Sequence, residues 1–142
     1  MSNIAERLEE LIFESNLNNK MLAKAINISE SCITQYIKHG DLPTVENLLK
    51  IADYFKCSTD FLLGFEEKQN LVFKKCPPFN EQINFLLNYF DRKQSFIYTN
   101  TEISRSRFFE WKKGVRFPSL DSVIKLAELF GCRIDFVLGR EV

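Results

Sequence analysis

The stretch Asn18–Thr44, NNKMLAKAINISESCITQYIKHGDLPT, decides the fold. Leu22, Ala23 and Ile26 form one apolar stripe at helical spacing, and Ile33, Tyr36 and Ile37 form another. Asn27 lies between them, and asparagine tolerates the left-handed backbone that a sharp turn between helices requires. Ala23 is small enough for the two helices to approach closely. Ser29 is placed to cap the second through its hydroxyl, and His39-Gly40 supplies a stop. The spacing predicts helices over 19–26 and 30–38, joined by a tight turn, with a polar face left on the second.

Outward from this pair, Ile4, Leu8, Leu11 and Ile12 mark an amphipathic helix over residues 3–15. Pro43-Thr44 opens a fourth helix, whose expected buried stripe is Val45, Leu48, Leu49, Ala52 and Phe55. Ser58 caps a fifth, Thr59–Leu63, which Gly64 stops. Strand signals are missing, so the first half reads as all-α.

A shift of 75 residues aligns Ile4–Gly64 with Phe79–Gly139 without a gap. Identical pairs include Ile28/Ile103, Ser29/Ser104, Ser31/Ser106, Lys38/Lys113, Pro43/Pro118, Lys50/Lys125 and Ala52/Ala127. Phe55/Phe130, Cys57/Cys132, Asp60/Asp135, Phe61/Phe136, Leu63/Leu138 and Gly64/Gly139 extend the list. The chain therefore reads as two tandem five-helix domains, 1–64 and 79–142, joined by a linker over 65–78, FEEKQNLVFKKCPP. In the second domain the helices are expected at Asn80–Phe90, Gln94–Thr101, Arg105–Lys113, Leu120–Phe130 and Ile134–Leu138. Leu71-Val72-Phe73 is more apolar than a tether needs, which fits docking on a domain or pairing with a partner chain.

The Asn/Ala/Ile/Tyr pattern of the helix pair, continued through Pro43 to STDFLLG (Ser58–Gly64), resembles the lambda-repressor-like (XRE) helix-turn-helix regulators. The resemblance covers the first half of the chain. It implies that the third helix enters the major groove of double-stranded DNA. The positions so used fall on Ser29, Glu30, Ser31, Thr34, Gln35 and Lys38. Gln35 is suited to adenine and Glu30 to the cytosine amino group. Asn19 opens the second helix, where relatives hold a phosphate, and Lys20 adds backbone attraction.

In the second half the matching positions are Gln94, Ser104, Arg105, Ser106, Arg107, Phe109, Glu110 and Lys113. Arg105 and Arg107 are suited to guanine. Phe109 replaces Thr34 as an expected exposed ring, meeting either a thymine methyl or a protein. Tyr98 replaces Ala23 and Glu102 replaces Asn27, so a splayed or reoriented second motif is expected. For any one of these polar residues the plainer reading is a solvated helix face. Agreement of turn, cap, apolar positions and downstream segment favours DNA binding by the first domain.

Composition narrows the alternatives. The 142 residues are 45% hydrophobic and 27% charged, with a formal net charge of zero, as in a globular chain. No apolar run approaches the roughly 20 residues of a membrane span, and Met1-Ser2-Asn3 does not begin a signal peptide, so a cytoplasmic protein is expected. Four scattered cysteines and one histidine, His39, offer no metal-site spacing; His39 aligns with Gly114, which favours a backbone role. Neither a nucleophilic triad nor a glycine-rich phosphate loop is present, which argues against an enzyme or a cofactor.

The zero net charge conceals a division. Residues 1–66 hold 6 Lys/Arg and 10 Asp/Glu, a net of −4, and residues 67–142 hold 13 and 9, a net of +4. Attraction to a polyanion would favour the second half. Phe85 and Phe90 stand where the first half has Glu10 and Ser15, and Phe96 stands where it has Met21. These rings form either a locally different core or an apolar patch joining the repeats or two chains, a homodimer through the aromatics or the linker. The expected function is a bacterial or phage-type transcriptional regulator, a repressor, with no small-molecule effector domain. The rival is an interaction module of antirepressor or antitoxin-like type that keeps the fold and contacts protein.

Overall fold

The computed structural model describes residues 4–67 and 72–141. Asn3 and Leu71, assigned above to the first helix and to the apolar part of the linker, lie outside the described residues, as do Met1, Ser2, residues 68–70 and Val142. The chain divides into two compact units, Met1–Leu71 and Val72–Val142.

Unit 1 contains α1 (Ile4–Glu14), α2 (Asn19–Ile26), α3 (Glu30–His39), α4 (Val45–Phe55) and α5 (Thr59–Leu62). Each boundary has a local cause. The side chains of Asn18, Ser29, Thr44 and Ser58 accept from backbone N–H groups two or three residues into α2, α3, α4 and α5, satisfying donors that an open helix end leaves unpaired. Asn27, Gly40 and Lys56 close α2, α3 and α4 in the left-handed conformation.

α1 and α2 pack on α3, with α4 and α5 closing the core. That core is Ile4, Leu8, Ile12, Leu22, Ala23, Ile33, Tyr36, Val45, Leu48, Ile51, Ala52, Phe61, Leu62 and Leu63. The stripe expected on α4 shifts by a residue: Ile51 is buried, whereas Leu49 and Phe55 are only half-buried. Leu11, Ile26 and Ile37 also lie at the margin, half-buried.

Unit 2 contains α6 (Phe79–Tyr89), α7 (Ser95–Asn100), α8 (Arg105–Lys112), α9 (Leu120–Phe130) and α10 (Ile134–Leu138). Subtracting 75 maps the bounds of α6 onto α1 and of α9 onto α4. The middle helices differ: α7 is shorter than the expected Gln94–Thr101 and α8 stops at Lys112, because their turns are built differently. The unit 2 core is heavier in aromatics, with Phe79, Phe108 and Trp111 buried and Phe79 edge-on to Trp111 at 5.7 Å between centroids.

The segment expected as a linker is engaged at both described ends. In unit 1 the Phe65 N–H donates to the Asp60 carbonyl at 2.8 Å, and the Ser58 hydroxyl donates to Glu66 Oε1 at 2.8 Å. In unit 2 Phe73 forms an isolated bridge with Glu141, and the Lys74 N–H donates to the Arg140 carbonyl at 2.8 Å. The buried Arg140 guanidinium lies 4.0 Å from the Phe73 ring centroid and donates to Asp135 Oδ1 at 3.1 Å. Apart from that bridge, no strand occurs among the described residues.

Candidate nucleic-acid interface

In unit 1 the polar face of α3 is held from three sides. Its start is fixed by Ser29, whose Oγ accepts the Cys32 N–H at 3.2 Å and lies 3.2 Å from the Ser31 hydroxyl. The approach from α2 is fixed by Asn27 at φ 59°, ψ 51°, with its N–H on the Ala23 carbonyl. Ala23, 5% exposed, leaves room for α3. The inner side is fixed by Tyr36, whose buried hydroxyl accepts from Asn47 Nδ2 at 2.9 Å; burial raises its pKa above the ordinary 10.0.

With the helix so anchored, Ser29, Glu30, Ser31, Gln35 and Lys38 are exposed, and Thr34 on the same face is half-buried. Positions 30, 31, 34, 35 and 38 line one side of a helix. Asn19, Lys20 and Glu30 meet at an open groove of about 630 Å³, lined also by Glu9, Ile12, Phe13, Leu17 and Asn18. The sequence reading assigned Asn19 to the start of α2 and missed Asn18, whose Oδ1 accepts the Met21 N–H at 2.8 Å and is the actual cap. The Asn-Asn pair ahead of an apolar stripe carried that signal.

In unit 2 the cap recurs: Ser104 Oγ accepts the Arg107 N–H at 3.1 Å and lies 3.2 Å from the Ser106 hydroxyl. Arg105, Ser106, Arg107 and Lys113 are exposed. One expectation needs correction. Phe109 is half-buried, not an exposed ring: it stands edge-on to the buried Phe108 at 5.8 Å, and the Arg105 guanidinium lies 5.5 Å from its centroid. Gln94 is half-buried and makes no cap; its Oε1 accepts from Lys112 Nζ at 3.1 Å.

The α7–α8 turn also avoids the left-handed residue that Glu102 would fill poorly. Thr101 is extended at φ −138°, ψ 174°, its hydroxyl donating to the Ile97 carbonyl at 2.7 Å and accepting the Ile103 N–H at 3.1 Å. Tyr98, half-buried, packs on Phe108 at 5.8 Å between centroids. The expected rearrangement is thus local, a shorter α7 and a threonine-tied turn.

One lysine position braces both turns. Lys50 Nζ donates to the Asn27 carbonyl at 3.4 Å in unit 1. In unit 2 Lys125 Nζ lies 3.4 Å from the Glu102 carboxylate and 3.0 Å from Asp121. The hydrogen bond to Asp121, foremost, holds the Lys125 pKa above 10.5. These pairs are exposed and contribute little to stability.

Among the described residues no helix is long and apolar enough to cross a membrane, and no three His, Cys, Asp or Glu side chains converge as metal ligands would. No curated protein and no solved structure gives a match to the chain. A family model described as helix-turn-helix matches residues 8–62, from within α1 to the end of α5. That match and the α2–α3 geometry support an XRE-like helix-turn-helix in unit 1, and the family suggests a DNA-binding regulator.

Proposed function

We propose that the chain is a sequence-specific duplex-DNA-binding transcriptional regulator, a repressor, that reads base edges with α3 of unit 1. The observation carrying this reading is the pinned, exposed row Glu30, Ser31, Gln35 and Lys38 behind a capped helix start. Side chains near the N-terminus of such a helix reach base edges in the major groove. Asn19 and Lys20 supply backbone contacts beside it.

Unit 2, taken as a diverged tandem copy, adds phosphate affinity through Arg105, Arg107 and Lys113, with Ser106 beside them. Its excess of positive charge fits sequence-independent attraction better than base reading. The partners are duplex DNA and a second copy of the chain, in a cytoplasmic setting, without a small-molecule effector.

The competing reading, an interaction module, draws on one observation. The outer side of α1 carries exposed Glu6, Glu9, Glu10 and Glu14 around Phe13, which is 82% exposed. Such a face repels phosphate and suits protein.

A salt series separates the two readings. Phosphate neutralisation predicts a fall of roughly 0.9 log units in affinity per log unit of salt for each contact. Binding to duplex that ignores salt, or is missing at low salt, favours the interaction module.

A further inference from the structure

We propose that the outer face of α6 in unit 2 is a self-association surface whose occupant is α6 of a second copy of this chain. Phe85 and Tyr89 are 47% and 62% exposed on that face. They are the outer edge of a continuous aromatic layer: Phe85 and Tyr89 lie 5.7 Å apart, both contact Phe136, and Phe90 contacts Tyr89 and Phe136 and stacks on Phe130 at 4.8 Å and 13°.

The fold does not require these rings. At the same helix positions unit 1 has Glu10, Glu14 and Ser15, on an α1 with the same bounds less 75. Aromatic area held in water is unfavourable unless something covers it.

Charge matching identifies the cover. From Asn84 to Phe90 the outer face of α6 shows Asn84, Phe85, Asn88 and Tyr89 and no ionised group, with Glu81 before it and Asp91, Arg92 and Lys93 after it. A two-fold contact sets a patch against itself, so that residue i meets j while j meets i. Two antiparallel copies of α6 would place Phe85 against the partner's Tyr89 twice, and Asn84 against the partner's Asn88, with no like charges opposed. The equivalent pairing of α1 would set Glu10 against the partner's Glu14. A neutral, self-complementary face suits a second copy better than a cationic or anionic partner. α8 packs on the inner side of α6, so this contact uses none of Arg105, Ser106 or Arg107.

The inference rests on the second-copy part of the proposed function and is independent of DNA reading. Sedimentation equilibrium of the full chain, beside the double variant Phe85→Glu with Tyr89→Glu, tests it. Those substitutions copy residues that unit 1 carries at the same places. The parent is expected to show a concentration-dependent dimer, and the double variant a dissociation constant at least about tenfold weaker with an unchanged far-ultraviolet circular dichroism spectrum. Should the double variant lose helicity, Asn84→Lys with Asn88→Lys, which opposes like charges across the contact, must weaken the dimer instead. A parent that stays monomeric at about 100 μM, or a folded variant that dimerises like the parent, overturns the proposal. A chain that dimerises in this way but retains no duplex at low salt upholds the contact and sinks the DNA reading.

Discussion

Asn27 and Glu102 occupy the same place in the two units, yet the chain turns there by different means. In unit 1 one asparagine takes a left-handed backbone and closes a full two-turn α2. In unit 2 no residue from 100 to 104 has a positive φ; a threonine hydroxyl ties the turn and α7 ends early. α6 and α9 nevertheless keep the bounds of α1 and α4, so the scaffold tolerates two solutions because the outer helices of its core stay in place. The surfaces differ more than the cores. Unit 1 presents acids on α1 and a mixed polar row on α3; unit 2 presents rings on α6 and arginines on α8.

Exchanging residues between the units sharpens this contrast. The largest effect is expected for Ala23→Tyr. The site is 5% exposed between α2 and α3, where a ring overpacks the interface and should cost about 3 kcal/mol of stability in urea unfolding. Tyr98→Ala, at a half-buried site, should cost less, about 1–2 kcal/mol. Equal losses would show that the two helix pairs are packed alike.

Next comes the division of labour on DNA. Gln35→Ala should lower discrimination at one base position by about 1–3 kcal/mol and leave folding unchanged. Arg105→Ala with Arg107→Ala should weaken binding evenly across sequences and reduce the salt slope by about 2. A double variant that binds like its parent removes α8 from the interface.

The turns give smaller differences. Asn27→Ala should cost about 1 kcal/mol, since an alanine is strained at φ 59°. Thr101→Val should cost about 1 kcal/mol through the two hydrogen bonds it loses, while Glu102→Gly should gain nothing, because no left-handed residue is called for there. A stabilising Glu102→Gly would mean that the second turn resembles the first.

The smallest effect is a pH dependence at Tyr36. Burial raises its pKa in the folded chain above 10.0, so from pH 10 upward the unfolded chain ionises first and binds fewer protons. The stability is therefore complete below pH 10 and falls as pH rises through the folded pKa. Between pH 9 and 11 Tyr36→Phe should lose less stability than the parent.

Much of this was readable in the residues, for physical reasons. Helical spacing, serine and threonine caps, and Asn27 act locally, so α1 to α5 could be placed within a residue or two. The exposed row on α3 followed from the same periodicity. What escaped depends on contacts distant in sequence. Ile51 displaced Phe55 from the core because the orientation of α4 is set by its neighbours. Phe109 was pulled inward by Phe108 and covered by Arg105, and Gln94 was taken up by Lys112, 18 positions later. The match of residues 73–74 with 140–141 needed both ends of unit 2 at once. Thr101 could have been found, since a threonine three to four residues after an apolar position can bond back to a carbonyl.

The most direct test of α3 as the reading helix is selection from a random duplex library at low salt, run with the parent and with Gln35→Ala. The account predicts one enriched sequence for the parent and relaxed choice at a single base for the variant. No enrichment by the parent, or the same enriched sequence at full stringency from both, would contradict it.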